Sequence, residues 1–193
     1  MSLLGAAEIR ELATALNLTP SKSLGQNFVH DGNTCLKIVR TAGVQPDDVA
    51  LEIGPGLGSL TLAMMQEAKA VVVVEIDKRL ADQLPITAAK HADNPEKLTV
   101  INKDALQIDS LPIDPTVLIA NLPYNVSVPV FLHMLEKFPT LRTGVVMVQA
   151  EVADRLAAQP STKEYGVPSV KAAWWAEVTG AGVVSRQIFW PVP

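Results

Sequence analysis

Short unbroken apolar runs alternate along the chain with longer segments in which apolar residues recur every three or four positions. The runs VALEIG (49–54), AVVVVEID (70–77), LTVINKD (98–104), TVLIAN (116–121) and TGVVMVQA (143–150) read as strands buried on both faces. SLTLAMMQEA (59–68), RLADQLPITAAKHA (79–92), VPVFLHMLEKF (128–138) and EVADRLAAQ (151–159) carry helical spacing, and Pro85 is expected to break the second of them. Strands that are apolar throughout, interleaved with helices, require a parallel sheet covered on both sides. The fold class is therefore α/β, doubly wound.

The flanks are less regular. Ile9, Leu12, Ala13 and Leu16 share one face of a short helix over 8–17, SKSLGQNFVHD (21–31) is a polar loop, and 33–42 is a helix stopped by Gly43. PSTKEYG (160–166) is a second polar loop, VPSVKAAWWAEVTG (167–180) is a helix running into a strand, and the chain ends on FWPVP. With 193 residues, 48% of them hydrophobic and 19% charged, one globular domain with a substantial core is expected.

Composition narrows the class further. The single cysteine, Cys35, cannot form an internal disulfide and reads as a small buried hydrophobe in a reducing compartment. The first residues carry Glu8 and Glu11 and no basic leader, and no apolar run reaches the roughly 20 residues of a membrane helix. A cytoplasmic protein is expected, with no membrane and no metal. The net charge of −4 argues against holding nucleic acid by bulk electrostatics, though a local basic groove is compatible with it.

The candidate chemistry lies at the carboxyl ends of the strands, where open parallel sheets bind ligands. LEIGPGLGSLT joins the first strand to its helix through Gly54, Gly56 and Gly58, which would let backbone approach a ligand and present helix N-terminal amides. The spacing is G-x-G-x-G with Pro55 inside it, unlike the G-x-G-x-x-G of dinucleotide sites. Glu75 ends the second strand, where a carboxylate accepts the hydroxyls of a ribose, and Asp104 at the end of the third could accept from an adenine amino group. Glu52 completes a row of three acids on one rim. A nucleoside site without a pyrophosphate turn points to S-adenosylmethionine rather than NAD.

NLPY ends the fourth strand on the same rim. An exocyclic adenine amine is a poor nucleophile because its lone pair is delocalised into the ring. The Asn121 amide oxygen and a backbone carbonyl, that of Leu122, could each accept one amine hydrogen and localise the lone pair toward an incoming methyl group. Pro123 biases Leu122 toward extended geometry and so sets that carbonyl's direction. Tyr124 offers a ring on which a flipped-out base can stack. No general base is needed, because the amine loses its proton after attack; orientation carries the catalysis.

SLGQNFVHD, LEIGPGLGSLT, VVVVEID, NKDAL, NLPYNVS and VQAEVADRLAAQPSTKEYG, in this order, resemble the ribosomal RNA adenine dimethyltransferases of the KsgA (RsmA) family over nearly the whole chain. NLPYN with KEYG leans to that branch over the Erm resistance methyltransferases. The resemblance implies a class I methyltransferase fold that dimethylates two adjacent adenosines near the 3′ end of 16S rRNA in the small ribosomal subunit, with S-adenosylmethionine as cofactor. It implies cofactor contacts at Asn27, Val29, Gly54, Glu75, Asp104 and Asn121, with Gln26, Gly56 and Ala105 lining the same cavity. Phe189 would cover the other face of the target base, with Trp190 as a rival. Residues 1–32 would form an N-terminal helix and cofactor-covering loop, and 49–193 the sheet and its helices.

The family pattern continues past FWPVP with another strand and a small helical RNA-docking domain. Their absence is expected to leave the fifth strand, GVVMV, with an open edge, in a protein that is monomeric at full length. Lys22, Lys163 and Lys171 are the basic candidates near the rim. The rival readings are an NAD-dependent oxidoreductase, an Erm-like enzyme acting on large-subunit rRNA, and a non-catalytic ribosome-assembly factor.

Overall fold

The structure, a computed structural model, describes residues 1–18 and 27–193. In chain order its elements begin with α1 (Ala6–Ala15), β1 (Phe28–Val29), α2 (Gly32–Thr41), β2 (Val49–Ile53), α3 (Ser59–Glu67), β3 (Ala70–Glu75) and α4 (Lys78–His91). They continue with β4 (Leu98–Asn102), β5 (Val117–Asn121), α5 (Ser127–Lys137), β6 (Thr143–Met147), α6 (Ala150–Leu156), α7 (Val167–Trp175) and β7 (Phe189–Trp190).

Strands β4, β3, β2, β5 and β6 lie in that order in one sheet, and every pairing is parallel. Successive strand residues enter opposite cores, as the two-residue period of a strand requires. Ala50, Val71, Val73 and Ile119 pack with α1 to α4 around Ile9, Val39, Leu62 and Leu84. Leu51, Val72, Val74 and Leu118 pack with the α5 to α7 side around Val130, Met134 and Ala172. The doubly wound α/β reading holds, and all five strands fall on the apolar runs. Strand β6 pairs only with β5, so its outer edge is unpaired among the described residues, as expected for GVVMV.

Three expectations need correction. Pro85 does not break its helix: α4 runs unbroken from Lys78 to His91. A mid-helix proline removes one backbone hydrogen bond, and the continuous buried face of Leu80, Leu84, Ala88 and His91 carries the helix past it. No strand continues α7 directly: residues 176–185 join no ladder, and the next strand is β7. The loop read over 21–31 contains β1, which pairs antiparallel with β7 through Phe28↔Trp190 and Val29↔Phe189.

A polar clamp closes the sheet end opposite the glycine turn. The buried Asp48 carboxylate accepts from the Gln45 amide (2.6 Å), from Thr116 Oγ1 (2.8 Å) and from Arg142 Nε (3.1 Å) and Nη2. It thereby ties the entries of β2, β5 and β6. Burial raises the carboxyl pKa, but the Arg142 guanidinium, the Gln45 amide and the Thr116 hydroxyl together hold it below its ordinary value. The stabilisation is therefore present above the unfolded carboxyl's pKa near 4 and is lost as pH falls through the lower folded value. Asp48→Ala should cost about 2–3 kcal/mol in urea unfolding near neutral pH, less than a fully buried pair because Arg142 is half-exposed and can turn to water. An unchanged midpoint would show that the clamp contributes nothing.

Candidate functional site

A cleft opens where β2, β3, β4 and β5 end, lined by Asn27, Val29, Gly54, Glu75, Asp104 and Asn121 among others. Gly56 and Ala105 line it too. Thus eight positions anticipated from the sequence come together in one place. Gln26 and Lys22 lie outside the described residues.

Left-handed backbone shapes the glycine turn. Gly54 has φ +68° and sits against Pro123, and Gly56 has φ +58° with space for no side chain, since a Cβ there would meet the Phe28 ring at 2.9 Å. The turn's amides are used internally. Gly54 N–H donates to Val74 O (2.9 Å), Gly58 N–H to Pro55 O (3.0 Å), and Gly56 N–H to Glu75 Oε2 (3.1 Å). The glycine amides are therefore spent within the turn, which offers close approach and aims a carboxylate.

That carboxylate, Glu75, is held at both oxygens, with Asp77 N–H donating to Oε1 at 3.0 Å. A carboxylate has about four lone-pair sites, so each oxygen can still accept one more donor. Burial raises its pKa, against the opposing pull of the Asp77 and Gly56 amides. Asp104 lies just past β4 and caps a short turn through Leu106 N–H to Oδ1 (2.9 Å), leaving Oδ2 without a partner among the described residues. Glu52 departs from its sequence reading. It lines the cleft with the other two acids but is 1% exposed and is tied inward, accepting from Thr61 Oγ1 at 2.5 Å.

Asn121 lies at a junction. It lines the cleft and also a broad groove that runs along the free edge of β6, and Asn27 is shared in the same way. Asn121 Nδ2 donates to Asn27 O at 3.0 Å. Because a carbonyl only accepts, the amide nitrogen must face it, and Oδ1 is directed elsewhere with no partner among the described residues. Asn27 is itself anchored by Nδ2 donating to Pro191 O at 2.7 Å. Val29 is fixed by β7 and by Ser59 Oγ, which donates to its carbonyl at 2.5 Å.

Tyr124 and Phe189 line the groove on the other side of Asn121. Leu122 is buried in the core, and its N–H donates to Met147 O (3.1 Å), which locks the backbone after β5. Trp190 is engaged elsewhere: it stacks on Phe28 with ring centroids 6.4 Å apart and planes inclined by 20°. Of the two rival aromatics, Phe189 is the one that lines the groove.

Sequence reasoning missed three participants. Phe28 forms the wall facing Gly56, and its signal was hidden because a two-residue strand has no period. Ile76, 61% exposed at the cleft, is an apolar residue directly after the strand-end carboxylate, a signal that was available. Burial raises the Tyr124 phenol pKa, and Arg186, which lines the groove nearby, offsets only part of that rise. Lys163 and Lys171 line neither hollow. Among the described residues no cluster of three or more His, Cys, Asp or Glu side chains is gathered as a metal would require, and no helix is long and apolar enough to cross a membrane.

Residues 17–193 match the family described as Ribosomal RNA adenine dimethylase. The chain is 59% identical, over its full length, to Ribosomal RNA small subunit methyltransferase A of Leifsonia xyli, of which it spans 69%. It is 58% identical to the protein of that name from Streptomyces avermitilis, spanning 66% of it. The chain thus covers about two thirds of the length of these curated relatives. Among solved structures it is similar to a dimethyladenosine transferase from Plasmodium falciparum, with TM-score 0.75 and 28% identity, covering 86% of this chain and 59% of that one. It is also similar to the 23S rRNA methyltransferase ErmE, with TM-score 0.60 and 33% identity, covering 68% of this chain and 51% of that one.

Proposed function

The chain belongs to the ribosomal RNA adenine dimethylase family, and from that premise we propose that it methylates the exocyclic amino nitrogen of two adjacent adenosines near the 3′ end of 16S rRNA. Its partner would be the small ribosomal subunit, and its cofactor S-adenosylmethionine, which when bound supplies an electrophilic methyl group. The observation that carries this reading is Asn121, which stands where the cleft and the groove meet with no partner for its amide oxygen among the described residues.

The lining of the cleft fits the cofactor. Glu75 keeps an accepting site on each oxygen for a ribose, Asp104 Oδ2 is open to an adenine amine, and Ile53, Val74, Ile76 and Ala105 supply apolar walls for the purine. On the groove side, Tyr124 and Phe189 would be the rings that hold an unstacked base. Asn121 Oδ1 and the Leu122 carbonyl, whose direction Pro123 biases, would accept the two amine hydrogens and turn the nitrogen lone pair toward the cleft. The proton leaves after attack, to water.

Small-subunit over large-subunit rRNA is favoured by the 59% identity to a small-subunit enzyme, against 33% to ErmE. Small-subunit rRNA incubated with the protein and cofactor, then digested and weighed by mass spectrometry, should gain dimethyladenosine at two neighbouring positions. Methylation confined to large-subunit rRNA would overturn the assignment.

Arg186 is exposed beside Tyr124 on the groove, with no ion-pair partner among the described residues, and is suited to a phosphate of the incoming strand. Arg186→Ala should lower the slope of log affinity for rRNA against log salt by about one, with cofactor affinity unchanged. An unchanged slope would remove Arg186 from the RNA path.

A further inference from the structure

Two hydrogen bonds meet at Asn27 that the methyl-transfer scheme does not yet use. Its carbonyl accepts from Asn121 Nδ2 at 3.0 Å, and its own Nδ2 donates to Pro191 O at 2.7 Å. In an antiparallel ladder only every second residue turns its carbonyl to the partner strand. His30 N–H donates to Ile188 O, and the pairs Val29↔Phe189 and Phe28↔Trp190 continue that register. The carbonyls of Val29 and Asn27 therefore face away from β7. Both are spent on elements that border the cleft: Val29 O accepts from Ser59 Oγ, and Asn27 O from Asn121. Asn27 itself lies one residue outside the ladder, opposite Pro191 in the same register, and proline has no N–H to give. The Asn27 carboxamide makes the link to β7 instead.

A side-chain amide can turn end for end at little cost, exchanging its oxygen for its nitrogen. Turned that way, Asn121 would aim N–H groups at an amine whose hydrogens need acceptors. The Asn27 carbonyl opposes this, because the turned amide would set oxygen against oxygen. We propose that Asn27 is the positioning residue of Asn121: pinned to Pro191, it holds the main-chain carbonyl that keeps Asn121 Oδ1 turned toward the target amine. This rests on the role given to Asn121 above. It differs from a cofactor contact, whose loss falls on cofactor affinity. It also joins two tasks in one strand, since β7 carries Phe189 to the groove and leads into the residue that pins Asn27.

The test is a double-mutant cycle on single-turnover methyl transfer to small-subunit rRNA, each variant being saturated with cofactor as judged by its own calorimetric titration. Asn27→Asp keeps the shape but has no donor for Pro191 O, and should slow transfer by about tenfold or more. In an Asn121→Ala background the same substitution should change the rate by no more than about twofold, because the amide that it aims is gone. A merely structural role would slow both backgrounds alike. Equal slowing in the two backgrounds therefore overturns the proposal, and so does an Asn27→Asp variant that transfers at the wild-type rate. If thermal melting shows that Asn27→Asp does not fold, Asn27→Ala takes its place in the same cycle and is judged by the same two outcomes. Asn121→Ala transferring at the wild-type rate would overturn the reading of Asn121 itself, whereas a slow Asn121→Ala with equal Asn27 effects would overturn this inference alone.

Discussion

Asn121→Ala is expected to slow methyl transfer by at least a hundredfold while cofactor affinity changes only severalfold. The Asn121 contact to the cofactor is one among several, but its contact to the reacting amine gains strength as the nitrogen becomes tetrahedral, so its loss falls on turnover. The side chain is already oriented, with Nδ2 held by the Asn27 carbonyl, so the free protein has met part of the ordering cost. Single-turnover transfer to small-subunit rRNA, set beside equilibrium cofactor titration, separates the two effects. Near-normal turnover in the variant would refute lone-pair localisation by Asn121.

The second large effect is expected at Glu75. Glu75→Ala removes the acceptor for a ribose and also strands the Gly56 and Asp77 amides, which now point at its two oxygens. Hydrogen bonds to a charged acceptor contribute roughly 1.5–3 kcal/mol each, so cofactor affinity should fall by tenfold or more. Glu75→Gln keeps the volume but has only one accepting oxygen, and should lie between the two. Calorimetric affinities equal to wild type in both variants would show that the ribose binds elsewhere.

Much of the cleft was legible because of where strands end. Parallel strands buried on both faces leave only their carboxyl ends open, so Gly54, Glu75, Asp104 and Asn121 had to gather once the strands were recognised. What could not be read was how the polar groups would be shared. Nothing in LEIGPGLG says that Gly56 N–H is spent on Glu75, or that Glu52, one residue before the strand ends, is tied to Thr61. The side of a strand on which a residue lies follows from its parity, but its partner depends on the helix packed there.

The aromatic side of the site was hidden for a different reason. Phe189 stands beside Asn121 because β7 pairs with β1, and two-residue strands carry no hydrophobic period. Pro85 misled because propensity is local, while the apolar face of α4 is a property of the whole helix.

The β1–β7 ribbon also bears on the order of folding. Asn27 and Pro191, which it brings within hydrogen-bonding distance, are separated by 164 positions. Closing so long a loop is entropically costly, and two short strands return few hydrogen bonds for it. The five-stranded sheet can condense first around nearer contacts, so the ribbon should join late. During synthesis, then, the strand ends bearing Glu75 and Asp104 are in place well before Phe28 and Val29 can be fastened as a wall. A nascent chain would have a floor for the cofactor before it has a side to hold it in, and β7 acts as the latch that completes the cleft.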